Sequence, residues 1–89
     1  MSSAAISLQL QEGVLHQLVS DKYVFLNLDT KSYFSLDEVG SRIWSHLSSG
    51  ESLDGCVELI LEEYEIEENA VRKDIEDLIG ELRSNRIIK

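Results

Sequence analysis

Two hydrophobic periods divide this chain. From Val14 to Leu36 apolar residues alternate as they do in strands, and from Ser35 onward they recur at helical spacing. In "YVFLNLD" (23–29), Val24, Leu26 and Leu28 alternate with Tyr23, Phe25 and Asn27, the period-two signature of a half-buried strand. "VLHQLVS" (14–20) precedes it as a weaker strand, joined through Asp21-Lys22, and "SYFSL" (32–36) follows it across the turn "DTK". Asp29 is expected to hydrogen-bond its own backbone in that turn. Connections this short imply hairpins, hence a three-stranded antiparallel meander. The stretch "ISLQL" (6–10) either extends the first strand or adds another.

The helical half opens with an S-x-x-E capping box, Ser35 with Glu38, and Asp37 adds negative charge near the helix start. Val39, Ile43 and Leu47 recur every four residues with Trp44 beside them, and "SSG" (48–50) ends this first helix. Ser52 is expected to cap a second helix, whose apolar stripe is Leu53, Cys56, Val57, Ile60, Leu61 and Tyr64. After the break "EIEEN" (65–69), a third helix carries Val71, Ile75, Leu78, Ile79 and Leu82. Asn85 suits a left-handed exit, and "IIK" is expected to dock as an apolar tail. Gly80 within this helix costs about 1 kcal/mol relative to Ala, which points to a close packing contact there. Three strands followed by three helices predict an α+β fold with the helices on one sheet face. The last two helices give it a winged helix-turn-helix-like outline. Residues 14–89 make a single domain, preceded by a partly ordered segment, 1–13.

Composition narrows the function. The 89 residues suffice for one domain with one core, and an apolar content of 43% is too high for a disordered chain. No apolar run approaches the roughly 18 residues of a membrane span. "MSSAAISLQLQEG" lacks the basic start and apolar length of a signal peptide, so the cytoplasm is the expected compartment, with no membrane partner. A single cysteine, Cys56, rules out an internal disulfide framework and a multi-cysteine zinc site, and its setting in "LDGCVELI" suits a small buried hydrophobe. The net charge is −9, and residues 51–89 hold 12 of the 17 acids against five bases. The longest basic run is Arg72-Lys73, so nucleic acid is not an expected partner. The same field attracts basic peptides or proteins.

Candidate chemistry is sparse. His16 and His46 stand 30 residues apart without ligand-like spacing to a carboxylate, which reads as surface or half-buried positions, not a metal site. There is no nucleophile elbow and no phosphate-cradling loop; neither catalytic residues nor a cofactor are expected. The six glutamates of "ELILEEYEIEEN" read as a solvated helix face and loop. "GESLDG" (50–55) loosely resembles the phosphopantetheine attachment site of acyl carrier proteins, which would make Ser52 a modification site. The tripeptide is Glu51-Ser52-Leu53 where that motif has an aspartate, and a helix N-cap explains the serine more simply. A winged-helix DNA-binding regulator is the other alternative, supported by outline and opposed by charge.

The remaining signal is "SYFSL". As the last strand of a meander it lies at a sheet edge, yet from Ser32 to Leu36 there is no charge and no proline to guard it. Two readings stay open. Either Phe34 and Leu36 pack into the core and the third helix covers the edge, or the edge accepts a partner's strand with pockets supplied by a neighbouring helix.

Taken in order, "LNLDTKSYFSL", "DEVGSRIW", the Ser-Leu start of the second helix and "DIEDLIGELRSNRII" resemble the PqqD-like proteins over about residues 14–89. These are the peptide-recognition elements of pathways that make ribosomally synthesised, post-translationally modified peptides. Asp37 stands where that family often has asparagine, and Arg86 where it often has glycine, with Asn85 expected to supply the left-handed turn. The resemblance implies that the leader segment of a precursor peptide adds as a strand to the third strand, in the groove between it and the third helix. Carried onto this chain, the peptide-binding residues are Ser32, Tyr33, Phe34 and Ser35, with Val71, Asp74, Ile75 and Leu78 as the opposite wall. Tyr33 suits a wet groove margin, and nearby acids are expected to select leaders with Lys or Arg. The implied partners are a precursor leader and a separate processing enzyme. That enzyme is expected to be a leader protease of a lasso-peptide pathway, the preferred setting, with a radical-SAM enzyme as the other, and the chain is expected to be a monomer or weak dimer.

Overall fold

The central strand, β2 (Lys22–Asn27), decides which sheet face meets the helices. In this computed structural model, which describes residues 8–89, β2 pairs antiparallel with β1 (Val14–Val19) and with β3 (Ser32–Ser35). Cross-strand register places Leu15, Leu26 and Tyr33 on one face and His16, Phe25 and Phe34 on the other. Phe25 is fully buried and meets Trp44 edge-on, with ring centroids 5.0 Å apart. Burying such a side chain contributes about 1.5–3 kcal/mol. The buried set of β2 is therefore Phe25 and Asn27. Leu26 and Leu28, despite their hydrophobicity, stand exposed on the outer face.

Asn27 earns its burial through hydrogen bonds. Its side-chain oxygen accepts the Asp29 and Thr30 N–H groups at 2.9 and 3.1 Å, and its amide donates to the Arg86 carbonyl at 3.1 Å. The hairpin is thus held by Asn27 and not, as its sequence suggests, by Asp29. An Asn side chain accepts from the turn and donates beyond it, which a carboxylate cannot do.

Of the three helices, α1 (Glu38–Ser48), α2 (Leu53–Glu63) and α3 (Glu68–Ser84), α1 packs on the inner face at β2, and α2 and α3 pack against α1 and each other. Ile43, Trp44 and Leu47 from α1 meet Cys56, Val57 and Ile60 from α2 and Val71, Ile75, Leu78 and Leu82 from α3 in one core. Ser52 caps α2 as predicted, accepting the Gly55 N–H at 3.0 Å. The capping box at Ser35 and Glu38 does not form. Ser35 remains in β3, and Asp37 caps α1 by accepting the Gly40 N–H at 2.7 Å. A carboxylate there also complements the positive end of the helix dipole.

Two expectations for α3 are corrected. Gly80 is exposed, and a Cβ there would have no neighbour within 4 Å, so no packing contact explains it. At the exit, Arg86 and not Asn85 takes the left-handed conformation, with φ 59°. The Ile87 N–H then reaches the Leu82 carbonyl at 2.8 Å and the Arg86 N–H the Arg83 carbonyl at 3.0 Å, a Schellman ending. That turn drives Ile87 and Ile88 into the core. Leu10 bridges to Ile88, and the Gln11 N–H bonds the Ile87 carbonyl at 2.9 Å. The described part of "ISLQL" therefore joins the C-terminal tail instead of extending β1. Residues 1–7 of the expected N-terminal segment lie outside the described residues. Among the described residues, no helix is long and apolar enough to cross a membrane.

Candidate peptide-binding edge and groove

Hydrogen-bond parity fixes what β3 offers to a partner. The Leu28 N–H bonds the Gly13 carbonyl at 2.8 Å and the Leu36 N–H bonds the Tyr23 carbonyl at 2.9 Å. Even-numbered residues of β2 thus face β1, and odd-numbered ones face β3. It follows that Ser32 and Phe34 spend their backbone groups on β2. The N–H and C=O groups of Tyr33 and Ser35 point away from the sheet, along its open edge.

The joint between β3 and α1 holds that edge in place. Ser41, buried in the first turns of α1, accepts the Tyr23 N–H on its hydroxyl at 2.9 Å and faces the Leu36 carbonyl at 3.5 Å. One hydroxyl therefore spans the last position of the β2–β3 ladder. Asp37 starts the helix immediately afterwards, so the strand passes into α1 with no slack.

Beyond the edge lies a groove of about 360 Å³. Its strand side is Phe34 to Asp37, α1 contributes Val39, Gly40 and Ile43, and α3 contributes Asp74, Asp77, Leu78 and Glu81. The helix therefore stands off from the strand and does not cover it. α3 runs antiparallel to β3: the carbonyl of Arg86, just past its C-terminal end, accepts from Asn27, which pairs with Ser32, while Asp74 in its first half lines the groove together with Leu36 and Asp37. Asp77 is paired with Lys73 at 3.0 Å, and Asp37 is engaged as a cap. The carboxylates of Asp74 and Glu81 have no hydrogen-bonding or ionic partner among the described residues.

The structure brings together only part of the residue set expected for this site. Phe34, Ser35, Asp74 and Leu78 line the groove. Ser32 sits at its end on the same strand, its hydroxyl 2.7 Å from that of Thr30. Val71 and Ile75 do not reach it: at 1% and 0% exposure they belong to the core, on the α3 face turned to the other helices. Tyr33 is 73% exposed, but its side chain stands on the outer face of the sheet. There it borders a shallow apolar depression with Leu15, Val19, Val24 and Leu26. Its backbone, not its ring, belongs to the edge. Sequence reasoning missed Asp77 and Glu81. Their signal was present as acids at 74, 77 and 81, a stripe of helical spacing flanking Leu78.

A second cleft, of about 560 Å³, lies between the β1–β2 turn and α1 and is lined by Arg42, Glu63 and Tyr64. The charged groups on its helical side satisfy one another. Arg42 pairs with Glu63, His46 lies 3.2 Å from the same carboxylate, and the Tyr64 hydroxyl donates to Glu38 at 3.0 Å. The hydrogen bond from Arg42, supported by His46, holds the Glu63 carboxyl below the usual carboxylate range. Cys56 is fully buried in the core, and that burial pushes its thiol up to about 11, which disfavours the thiolate.

An α+β domain of winged-helix outline, with an uncovered sheet edge facing a helix-walled groove, defines a class of small scaffold whose backbone is open to strand addition. The family model described as coenzyme PQQ synthesis protein D (PqqD) matches residues 22–88, and the chain belongs to that family. A solved structure of TbiB1 in complex with the TbiA(beta) leader peptide shares 33% identity with it. That match covers 91% of this chain and 94% of the other, with a TM-score of 0.80. A lasso peptide synthetase B1 complexed with its leader peptide has the same fold at 22% identity, covering 92% and 96% with a TM-score of 0.84. No curated protein matches the chain significantly.

Proposed function

We propose that this protein binds the leader segment of a ribosomally synthesised precursor peptide by strand addition to β3. It then presents that leader to a separate processing enzyme, a leader protease of a lasso-peptide pathway. The observation that carries this reading is the pair of outward-facing backbone positions, Tyr33 and Ser35, beside a groove with an apolar floor of Phe34 and Leu78. Backbone hydrogen bonds supply register and the groove supplies side-chain selection. The family membership supports it, as does the likeness to TbiB1, whose structure holds a leader peptide.

The presenting role draws on the opposite face. Leu15, Val19, Leu26, Leu28 and Tyr33 are all exposed on the outer side of the sheet. An added leader strand continues that face at the Tyr33 side, so an enzyme docked there contacts protein and leader together. The chain then acts by capture and by raising effective concentration, not by chemistry of its own. Fluorescence anisotropy with the labelled leader half of the precursor encoded beside this protein tests the reading. A Kd in the micromolar range or tighter supports it, and the absence of binding at millimolar protein overturns it.

A further inference from the structure

We infer that the groove selects leaders with the pattern basic–x–apolar–x–basic, and that Asp74 and Glu81 set this specificity. The inference rests on the strand-addition reading above and gives it a register. A strand added at the edge forms its ladder with Tyr33 and Ser35, so the two leader residues opposite them turn their side chains to the outer face. The residue between them, opposite Phe34, faces the groove, where Phe34 and Leu78 present apolar surface. Residues two positions to either side face the same way, one opposite Leu36 and one opposite Ser32.

Those flanking positions meet acid at both ends. Because α3 runs antiparallel to β3, Asp74 lies toward Leu36 and Asp37, and Glu81 lies toward Ser32. Along α3 the two carboxylates are separated by about 10 Å at 1.5 Å per residue. Leader positions four residues apart are separated by about 13 Å, a difference that a Lys or Arg side chain spans easily. The Asp74 and Glu81 carboxylates, without partners within the described residues, are free to accept those cations. Asp77 is already matched by Lys73 and adds less. The pattern is symmetric about its apolar centre, so it holds whichever way the leader runs.

The test uses three 13-residue host peptides of alternating Thr and Ser with a central Leu, titrated into the labelled protein and followed by amide shifts. One carries Lys two positions either side of Leu, one carries Lys one position either side, and one carries Glu two positions either side. The two Lys peptides have equal charge, so they separate groove recognition from general attraction to an acidic protein. The expected result is binding of the first peptide about tenfold tighter than the second, and tighter still than the third, at low salt. That gap closes in the Asp74→Asn/Glu81→Gln double variant. Equal affinity of the two Lys peptides, with shifts at Tyr33 and Ser35 for both, overturns the selectivity and leaves strand addition standing. No shift at Tyr33 and Ser35 with any peptide overturns both.

Discussion

The Ser41 hydroxyl accepts the backbone N–H of Tyr23 at 2.9 Å, tying the first turns of α1 to the central strand. This bond lies where β3 gives way to α1, so it fixes the distance between the open edge and the helical wall of the groove. Replacing Ser41 with Ala leaves the Tyr23 N–H without its partner in a largely buried place. The expected cost is about 1–3 kcal/mol, read by chemical denaturation. Leader affinity should also fall, because the edge loses its anchor.

Tyr33→Pro separates strand addition from folding. The Tyr33 N–H faces the open edge, and proline is tolerated on an edge strand whose N–H faces outward. The variant should fold with near-native circular dichroism and lose most leader binding. Tyr33→Phe, which keeps the backbone donor, should bind normally.

Two substitutions should stabilise the chain without touching the groove. Gly80→Ala adds a methyl group into open space on α3 and should gain about 1 kcal/mol from helix propensity. Arg86→Gly relieves a left-handed residue at φ 59° and should gain roughly 0.5–1 kcal/mol. Thermal denaturation of the two single variants and the double variant checks both, and the gains should add.

Acid should weaken the α1–α2 contact through Glu63. The hydrogen bond from Arg42 lowers its folded-state pKa, so the folded protein takes up this proton less readily than the unfolded chain. The stabilisation is complete above the unfolded-state value and is lost as pH falls through the folded one. Urea midpoints measured from pH 6 down to pH 3 should therefore decline less steeply for Glu63→Gln than for the wild type.

Substitution on the outer face should leave leader capture intact and impair delivery. Leu26→Lys changes an exposed residue on the side of the sheet away from the groove. Leader affinity should be unchanged, while cleavage by the partner protease should drop severalfold at fixed protein concentration.

Much of this was legible in the sequence, because period-two and period-3.6 patterns report burial directly. The unguarded strand from Ser32 to Ser35 could be placed at an edge by counting strands alone. The groove wall was harder. Val71 and Ile75 repeat with the core stripe, and periodicity cannot say that the neighbouring stripe, Asp74, Asp77 and Glu81, is the one turned to the strand. That depends on how α3 rotates against α1 and α2, a tertiary property. Tyr33 failed differently: its backbone serves the open edge while its ring stands on the outer face, and residue identity speaks only for the ring. The Asp37 cap and the Asn27 turn show local competition, in which a nearby polar side chain with better reach displaced the expected one.

The most direct test of strand addition is an amide-resolved titration of the isotope-labelled protein with the leader half of its precursor. Strand addition at this edge should give large shifts and new hydrogen-exchange protection at Tyr33 and Ser35. Side-chain shifts at Phe34 and Leu78 should accompany them, while Val71 and Ile75 stay nearly still. Saturating leader that leaves the Tyr33 and Ser35 amides unprotected would contradict strand addition at this edge.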